Sequence, residues 1–434
     1  MKLSIGIALM LFSIGSMGWQ TAVLYGKEKI SDFLSNPSRQ SRVPQFILDA
    51  QHPWILENRD KLEKLPDAES YLCFPTRVSA RDLSKNGLDV PPDLFEYLEI
   101  DNSRFGVGRP GWPNAVLRLR EIHRCPVAFS QVKTFNTAIF DHRGEYSDWD
   151  KRMLEPEQPP REGLDLFAHV LGNMTNLETL KWNVPASDAR YFEKHFVDRG
   201  LVLPSVRRLE PDSTSPFLVG MCPNITVLES RYNKWPQSLL QAAMFAPNLT
   251  RFAMGVRYYG WPQSLIQDLV SVYLPGIESL GLWGGLNNEY KYSSDTSSKE
   301  SVLKTTLQLL QSLKNLTHLD LPDATSLDVG WDDEPWCGNV FMGPGGREME
   351  RMVLRDWAKA INRAATLVAE FLPHLTGFSI GETQANLTRY ENGTLRASFP
   401  WTGRINEWVM ENLPFEPDEL SQGTALMQVQ LQEE

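Results

Sequence analysis

The chain has few of the residues that usually mark a catalytic centre. Its 434 residues include seven scattered histidines, none in an HExxH pattern, and four cysteines, none in a protease signature. The Gly343–Gly346 segment (GPGG) lacks the Lys-Ser/Thr pair that follows a phosphate-binding loop, so it predicts a flexible turn. The acidic run Asp332–Glu334 lacks EF-hand spacing and predicts a solvated loop. We therefore expect no enzyme, no cofactor and no bound metal; an enzyme built from distant residues is the alternative.

Clustered positive charge is also missing. The chain contains 43 Lys and Arg and 54 Asp and Glu, which gives a net charge of −11, and no run of Lys or Arg exceeds two residues. Nucleic acid binding needs clustered cations to neutralise phosphates, so this composition argues against it. Hydrophobic residues make up 42% and charged residues 22%, which is typical of a folded chain.

Long apolar stretches are absent beyond the N-terminus. Met1–Lys2 precedes an uncharged run from Leu3 to Gly26 that is apolar as far as Met17. One basic residue, an apolar stretch and small residues predict a secretory signal peptide over 1–22, and hence a secreted or lumenal protein. An uncleaved signal anchor is one alternative, since the run is close to the ~20 residues that span a bilayer. A buried N-terminal helix of a cytoplasmic protein is the other.

Two further patterns bear on the compartment. Four cysteines allow three pairings in an oxidising compartment, of which Cys73–Cys125 is the first choice, while four buried thiols are the alternative. Six N-x-S/T sequons are candidate glycosylation sites: Asn173, Asn224, Asn248, Asn315, Asn386 and Asn392. Several belong to a repeated phrase in which Asn and Thr suit a turn, so they support secretion only mildly.

The chain repeats itself. WPQSLLQ at Trp235–Gln241 recurs as WPQSLIQ at Trp261–Gln267, 26 residues later, and each copy predicts the start of a helix. A second phrase, P-x-[LIV]-x-x-[LF], predicts a turn followed by a strand. Its copies, two of them without the Pro, have their first apolar residue at Leu177, Val206, Ile225, Leu249, Ile277, Leu316 and Leu375.

This phrase resembles the leucine-rich repeat, whose LxxLxL segment forms a parallel inner sheet. The steps between copies are 29, 19, 24, 28, 39 and 59 residues, and the family's Asn appears in register only as Asn233, which suggests a divergent member. The resemblance implies an α/β solenoid over 131–380, with insertions at 287–299 and 329–347. We expect an N-terminal cap over 23–130 and a C-terminal hairpin cap and tail over 381–434, with the hairpin around Asn392-Gly393 closing the sheet edge.

In such a solenoid, the exposed strand positions would bind the partner. They give the candidate binding face Lys181, Glu210, Glu229, Arg231, Trp283, Asp320 and Asp323, with Ala253, Gly281 and Ser379 in the same row. Mixed, sparse charge suits a protein partner.

Three functions remain open. The leading hypothesis is a secreted or lumenal repeat glycoprotein that binds a protein through its concave sheet, without further membrane contact beyond a possible N-terminal anchor. The second is a cytoplasmic F-box-like adaptor of a ubiquitin ligase, because the repeats resemble those of fungal F-box proteins and Val90–Leu98 (VPPDLFEYL) resembles an F-box opening. The third is an enzyme or accessory protein with no readable motif.

Overall fold

The structure, a computed structural model, describes residues 43, 46–47, 52–65, 68–74, 85, 87–101, 112–139, 158–233, 235–256, 260–284, 286, 299–327, 329, 346–381 and 383–399. The predicted signal segment 1–22, most of both insertions, the acidic run 332–334 and Cys337 lie outside this part of the chain. The chain forms two compact units, Met1–Pro223 and Asn224–Glu434. Each is α/β, with a mostly parallel sheet, as the sequence predicts.

The first unit contains four parallel strands that pair in chain order, β1 with β2, β2 with β3 and β3 with β4. The strands are β1 (Tyr97–Asp101), β2 (Thr134–Ala138), β3 (Thr179–Asn183) and β4 (Arg208–Pro211). The described helices are α1 (Pro53–Leu62), α2 (Ala68–Cys73), α3 (Trp112–His123), α4 (Pro126–Gln131), α5 (Arg161–Asn173), α6 (Ala189–Asp198) and α7 (Leu218–Met221).

One face of this sheet is buried. Leu98, Phe135, Leu180 and Leu209 align across the four strands and are at most 1% exposed. Because strand side chains alternate, the residues between them face the other way. The core on the buried side is rich in aromatic edge-to-face contacts, which join Trp112, Phe167, Trp182, Phe192 and Phe196. Each such ring stabilises the fold by roughly 1.5–3 kcal/mol through burial alone.

A disulfide joins Cys73 to Cys125, as the sequence predicts. Cys73 ends α2, and Cys125 is the N-cap residue of α4, so the bond fixes two helices to each other across 52 residues of chain. Cys222 is a free thiol in the same unit and is buried.

The second unit contains six paired strands in chain order, parallel from β5 to β9, with β10 antiparallel to β9. They are β5 (Val227–Asn233), β6 (Arg251–Val256), β7 (Ser279–Trp283), β8 (His318–Leu321), β9 (Gly377–Ile380) and β10 (Thr383–Gln384). A separate hairpin pairs β11 (Asn386–Arg389) with β12 (Leu395–Ser398). The described helices are α8 (Pro236–Ala243), α9 (Gln263–Asp268) with a π-helical continuation (Leu269–Tyr273), α10 (Lys299–Leu310), α11 (Ala324–Leu327) and α12 (Gly346–Phe371).

The buried face of this sheet follows the same rule. Leu228, Phe252, Leu280, Leu319 and Phe378 align across β5 to β9 and are at most 2% exposed. Every one of them is the second apolar position of the Pro-led phrase. The phrase therefore codes for a strand whose side chains alternate between core and surface.

The phrase also codes for a turn. The amide of its first apolar residue donates to the carbonyl three residues earlier, at 3.1–3.3 Å, in six copies: Leu177, Val206, Leu249, Ile277, Leu316 and Leu375. Where the phrase begins with Pro, that residue is the second of the turn, a position that suits its fixed φ.

Three features differ from the sequence-based expectation. The sheet begins at Tyr97, within the region expected to be an N-terminal cap, and Val90–Leu98, which resembles the opening of the helical F-box, forms a turn leading into β1. The hairpin around Asn392-Gly393 exists, with Gly393 at φ +81°, but it does not close the sheet. β10 pairs with β9 instead, and the hairpin packs on α12.

Candidate functional site

The outward face of the first sheet carries a polar row. Glu99, Asn136, Lys181 and Glu210 align across β1 to β4. The Asn136 Nδ2 donates to Glu99 Oε1 at 2.6 Å, and Lys181 Nζ lies 3.3 Å from Glu210 Oε2. Arg208, two residues before Glu210 on the same face, donates from Nε to Glu210 Oε1 at 2.7 Å. Neighbouring side chains thus hold each other in position, with Glu99 buried and the other members of the row partly exposed.

The outward face of the second sheet carries a network centred on Arg251 of β6. Its Nε donates to Glu229 Oε1 on β5 at 2.8 Å, and a terminal nitrogen donates to Asp320 Oδ2 on β8 at 2.9 Å. Asp320 in turn accepts from the Ser379 Oγ on β9 at 2.8 Å. The other terminal nitrogen donates to the Ser279 Oγ on β7 at 3.3 Å, so one guanidinium connects residues of all five parallel strands of this sheet.

Small residues make room for this crossing. Ala253 of β6 and Gly281 of β7 stand in register between Glu229 and Asp320. A Cβ added at Gly281 would lie 2.5 Å from the Ala253 Cβ, closer than real contacts allow. Because neither residue has a bulky side chain, the long Arg251 side chain can extend across the sheet at this point.

The charge of Arg251 in this network is compensated by two carboxylates, Glu229 and Asp320. The Glu229 side chain is 8% exposed, that of Asp320 24% and that of Arg251 36%. Burial lowers the pKa of the Arg251 guanidinium, but hydrogen bonds and charge from Glu229 and Asp320 outweigh that effect and raise the pKa overall. Arg251 thus remains charged, and one cation is shared by two carboxylates.

The other predicted face residues play separate parts. Asp323 is exposed and accepts a 2.8 Å hydrogen bond from the indole of Trp357 on α12. Trp283 is half-buried and its carbonyl accepts from the indole of Trp261 at 3.0 Å. Arg231 is exposed at the end of β5. The structure thus joins Glu229 to Asp320 through Arg251, a residue that the sequence analysis missed.

The position of Arg251 on the outward face could have been predicted from the sequence. It lies two positions before Ala253, so it must share the outward face, and both Ala253 and Gly281 are too small to block it. Glu99 and Asn136 were missed for a different reason, because β1 and β2 do not carry any of the seven copies of the Pro-led phrase.

The sequence contains one motif typical of hydrolases, which the prediction of a chain without catalytic signatures did not consider. Gly377–Gly381 (GFSIG) has G-x-S-x-G spacing, which in hydrolases places a serine on a turn between strand and helix. Here Ser379 lies inside β9, and β10 follows instead of a helix. Its hydroxyl donates to Asp320, while His318 Nδ1 lies 2.9 Å from the Thr317 hydroxyl. The serine therefore faces a carboxylate already engaged by Arg251, which is not the serine–histidine contact that activates a nucleophile.

A glycine spacing was overlooked as well. Gly106–Gly111 (GVGRPG) has G-x-G-x-x-G spacing and lies outside the described residues, between β1 and α3. Dinucleotides bind such loops where the strand order of a sheet reverses. The strands of the first unit pair in chain order from β1 to β4, so the described part of this sheet has no such reversal.

The sequon asparagines lie mainly at the surface. Asn173, Asn248, Asn315, Asn386 and Asn392 are exposed and Asn224 is half-buried. Asn173 ends α5 and donates from Nδ2 to the His169 carbonyl at 2.7 Å. A glycan must extend into solvent, and five of these positions satisfy that requirement.

Comparison with protein-family models, with curated proteins and with solved structures finds no match. Among the described residues, no helix has the length and apolar character needed to cross a membrane. In the same part of the chain, His, Cys, Asp and Glu side chains form no group of three or more that could hold a metal ion.

Proposed function

We propose that the chain is a secreted or lumenal glycoprotein with a leucine-rich-repeat-like solenoid, and that it binds a protein partner through the outward faces of its sheets. The observation that carries this proposal is the Arg251 network. Charged groups held in place by neighbouring strands form a pre-organised surface, which reduces the ordering cost of association.

The repeated local structure supports the solenoid. The same turn precedes the strand in six copies of the phrase, and strands pair with their neighbours in chain order within each unit. A stack of short units that each bury one face against the next has this pattern.

The chemistry of the outward faces favours a protein over a polyanion. In the first unit, Lys181 and Arg208 are balanced by Glu210 and Glu99 of the same row, and in the second, Arg251 is balanced by Glu229 and Asp320. Neither row offers the surplus of cations that phosphates need. Arg251 and the half-buried Trp283 belong to the residue types that contribute most to protein interfaces.

The Cys73–Cys125 disulfide and the exposed sequons support an oxidising compartment. The test is to express the full chain in a eukaryotic host and compare gel mobility before and after peptide-N-glycosidase. We expect a downward shift of several glycan masses. An unchanged mobility with the initiator Met retained would contradict the proposal and favour the cytoplasmic adaptor.

The binding face is tested with a charge reversal. Proteins crosslinked to the secreted chain are compared for wild type, Lys181→Glu on the outward face, and Lys194→Glu, an exposed lysine on α6 that serves as the control. Loss of a crosslinked partner only with Lys181→Glu supports the proposed face. Equal retention in both variants argues that the partner binds elsewhere.

A further inference from the structure

Two aromatic side chains are unusually exposed beside sequons of the second unit. Phe245 is 78% exposed and precedes Asn248 by three residues, while Tyr390 is 46% exposed and precedes Asn392 by two. Large apolar side chains this exposed lose the stabilisation of burial. Their shared placement, just before an N-x-T sequon, calls for a common explanation.

Both asparagines occupy the third residue of a tight turn. Leu249 N donates to the Ala246 carbonyl at 3.1 Å, which places Pro247 and Asn248 at the centre of the first turn, directly after Phe245. In the second turn, Gly393 N donates to the Tyr390 carbonyl at 2.9 Å. A turn reverses the chain, so the aromatic residue at its start or just before it lies close to the asparagine at its third position.

The turn around Asn392 also orders the sequon itself. The Asn392 Oδ1 accepts from the Thr394 amide at 3.0 Å and from its hydroxyl at 2.7 Å. The amide nitrogen, Nδ2, is the atom to which a glycan is attached. The oxygen contacts fix the side-chain direction, so a sugar on Nδ2 would leave the surface at a defined angle.

We propose that Phe245 and Tyr390 are packing surfaces for the first N-acetylglucosamine of glycans at Asn248 and Asn392. Attachment forms a bond from sugar C1 to Nδ2 and breaks the bond from C1 to the phosphate of a lipid pyrophosphate donor, with release of one amide proton. The inference rests on the proposed secretory location. It specifies that the glycans at Asn248 and Asn392 pack against the protein and stabilise it.

The physical basis is the apolar face of the sugar. One side of a pyranose ring exposes several C–H groups, which carry slight positive charge and match the negative face of an aromatic ring. Contact removes apolar area of both groups from water. At Asn392, a cleft of about 540 Å³ between α12 and the hairpin adds the apolar side chains Ala369, Pro373 and Leu395 beside the attachment point.

The chain contains its own control at Asn315. Leu316 N donates to the Leu313 carbonyl at 3.2 Å, so Asn315 takes the same place in the same turn as Asn248, within the same N-L-T sequon. Three residues earlier, however, stands Ser312, which offers no ring. A glycan at Asn315 should therefore leave the stability of the fold unchanged.

The experiment uses the full glycoprotein from a high-mannose-producing host, trimmed by an endoglycosidase to one N-acetylglucosamine per site. Thermal unfolding is compared for Asn248→Gln, made both in the wild-type chain and in Phe245→Ala, and for Asn315→Gln. With Phe245 present, loss of the Asn248 sugar should lower Tm by about 2 °C. With Phe245→Ala, or at Asn315, the loss should have no effect.

Two additional variants sharpen the test. Ser312→Phe should make the Asn315 sugar stabilising, and Tyr390→Ala should abolish the contribution of the Asn392 sugar. Equal Tm losses with and without the ring, or an unoccupied Asn248 and Asn392 in a chain glycosylated elsewhere, would overturn this inference and leave the secretory proposal intact. A chain with no glycans at all would overturn both.

Discussion

Arg251 shows how one side chain organises a sheet surface. It lies on β6, yet it binds partners on β5, β7 and β8, because Ala253 and Gly281 beside it are small enough to let its side chain extend across the sheet. A buried carboxylate is costly without a cation nearby. Glu229, at 8% exposure, therefore depends on Arg251 more than Glu210, at 20% exposure, depends on its two basic partners in the first unit.

Substituting Arg251 should be more costly than substituting its counterpart in the first unit. Arg251→Met removes the guanidinium that Glu229 and Asp320 share. Since Arg251 is itself about one-third exposed, we expect a loss of about 1–2 kcal/mol in the free energy of unfolding, below the cost for a fully buried pair. Arg208→Met, whose partner Glu210 is 20% exposed and also faces Lys181, should lose less than about 1 kcal/mol. Chemical denaturation measures both, and equal losses would contradict this account.

The thiol of Cys222 should be unreactive in the folded chain. Burial raises its pKa to about 12, so almost no thiolate exists near neutral pH. Iodoacetamide at pH 8, followed by peptide mass spectrometry, should leave Cys222 unmodified in the native protein and alkylated in denaturant. Modification at equal rates in both conditions would show that the site opens readily.

At the scale of elements, the repeated heptapeptide shows what a local pattern can predict. Leu239 and Leu240 of the first copy and Leu265 and Ile266 of the second are all buried, as a helix with one apolar side requires. The leading Trp differs, because Trp235 is 65% exposed whereas its counterpart in the second copy is fully buried. The shared heptapeptide thus predicts the helix, whereas residues distant in sequence determine whether its leading Trp side chain is buried.

The strands were also predictable from a local pattern, but only where the chain carries that pattern. Alternation in the Pro-led phrase predicted β3 to β9, since the phrase contains both the turn and the buried positions. β1 lacks the phrase and was missed. The Arg251 network needed knowledge of which strands are neighbours and which residues are in register, and a single sequence does not contain that information.

Close packing between β6 and β7 makes Gly281 sensitive to substitution. In Gly281→Ala, the new methyl would meet the Ala253 Cβ at 2.5 Å, so the strands must shift. We expect a loss of about 1–3 kcal/mol in the free energy of unfolding. Gly276→Ala is the matched control, because nothing lies within 4 Å of a Cβ there, and it should change stability by less than about 0.5 kcal/mol. Similar effects of the two changes would argue against the tight register.

At the scale of the whole molecule, the disulfide distinguishes the two units. It closes a loop of 52 residues within the first unit, and loop closure of this length stabilises a fold by about 4 kcal/mol in the chain-entropy account. Reduction, or Cys73→Ser with Cys125→Ser, should therefore raise hydrogen exchange in α2 and α4, the two helices that the bond joins, while leaving β6 and β7 protected. The double variant should not respond further to reductant. Uniform loss of protection throughout the chain would contradict this prediction.

The strand order has a consequence for how the chain folds. Within each unit, every parallel strand pairs with the next one along the chain, so contacts between strands span one repeat rather than the whole unit. Short spans reduce the entropy lost in closing each loop and favour rapid folding. A chain still emerging from the ribosome could then add one strand at a time, with each completed pair serving as the template for its successor.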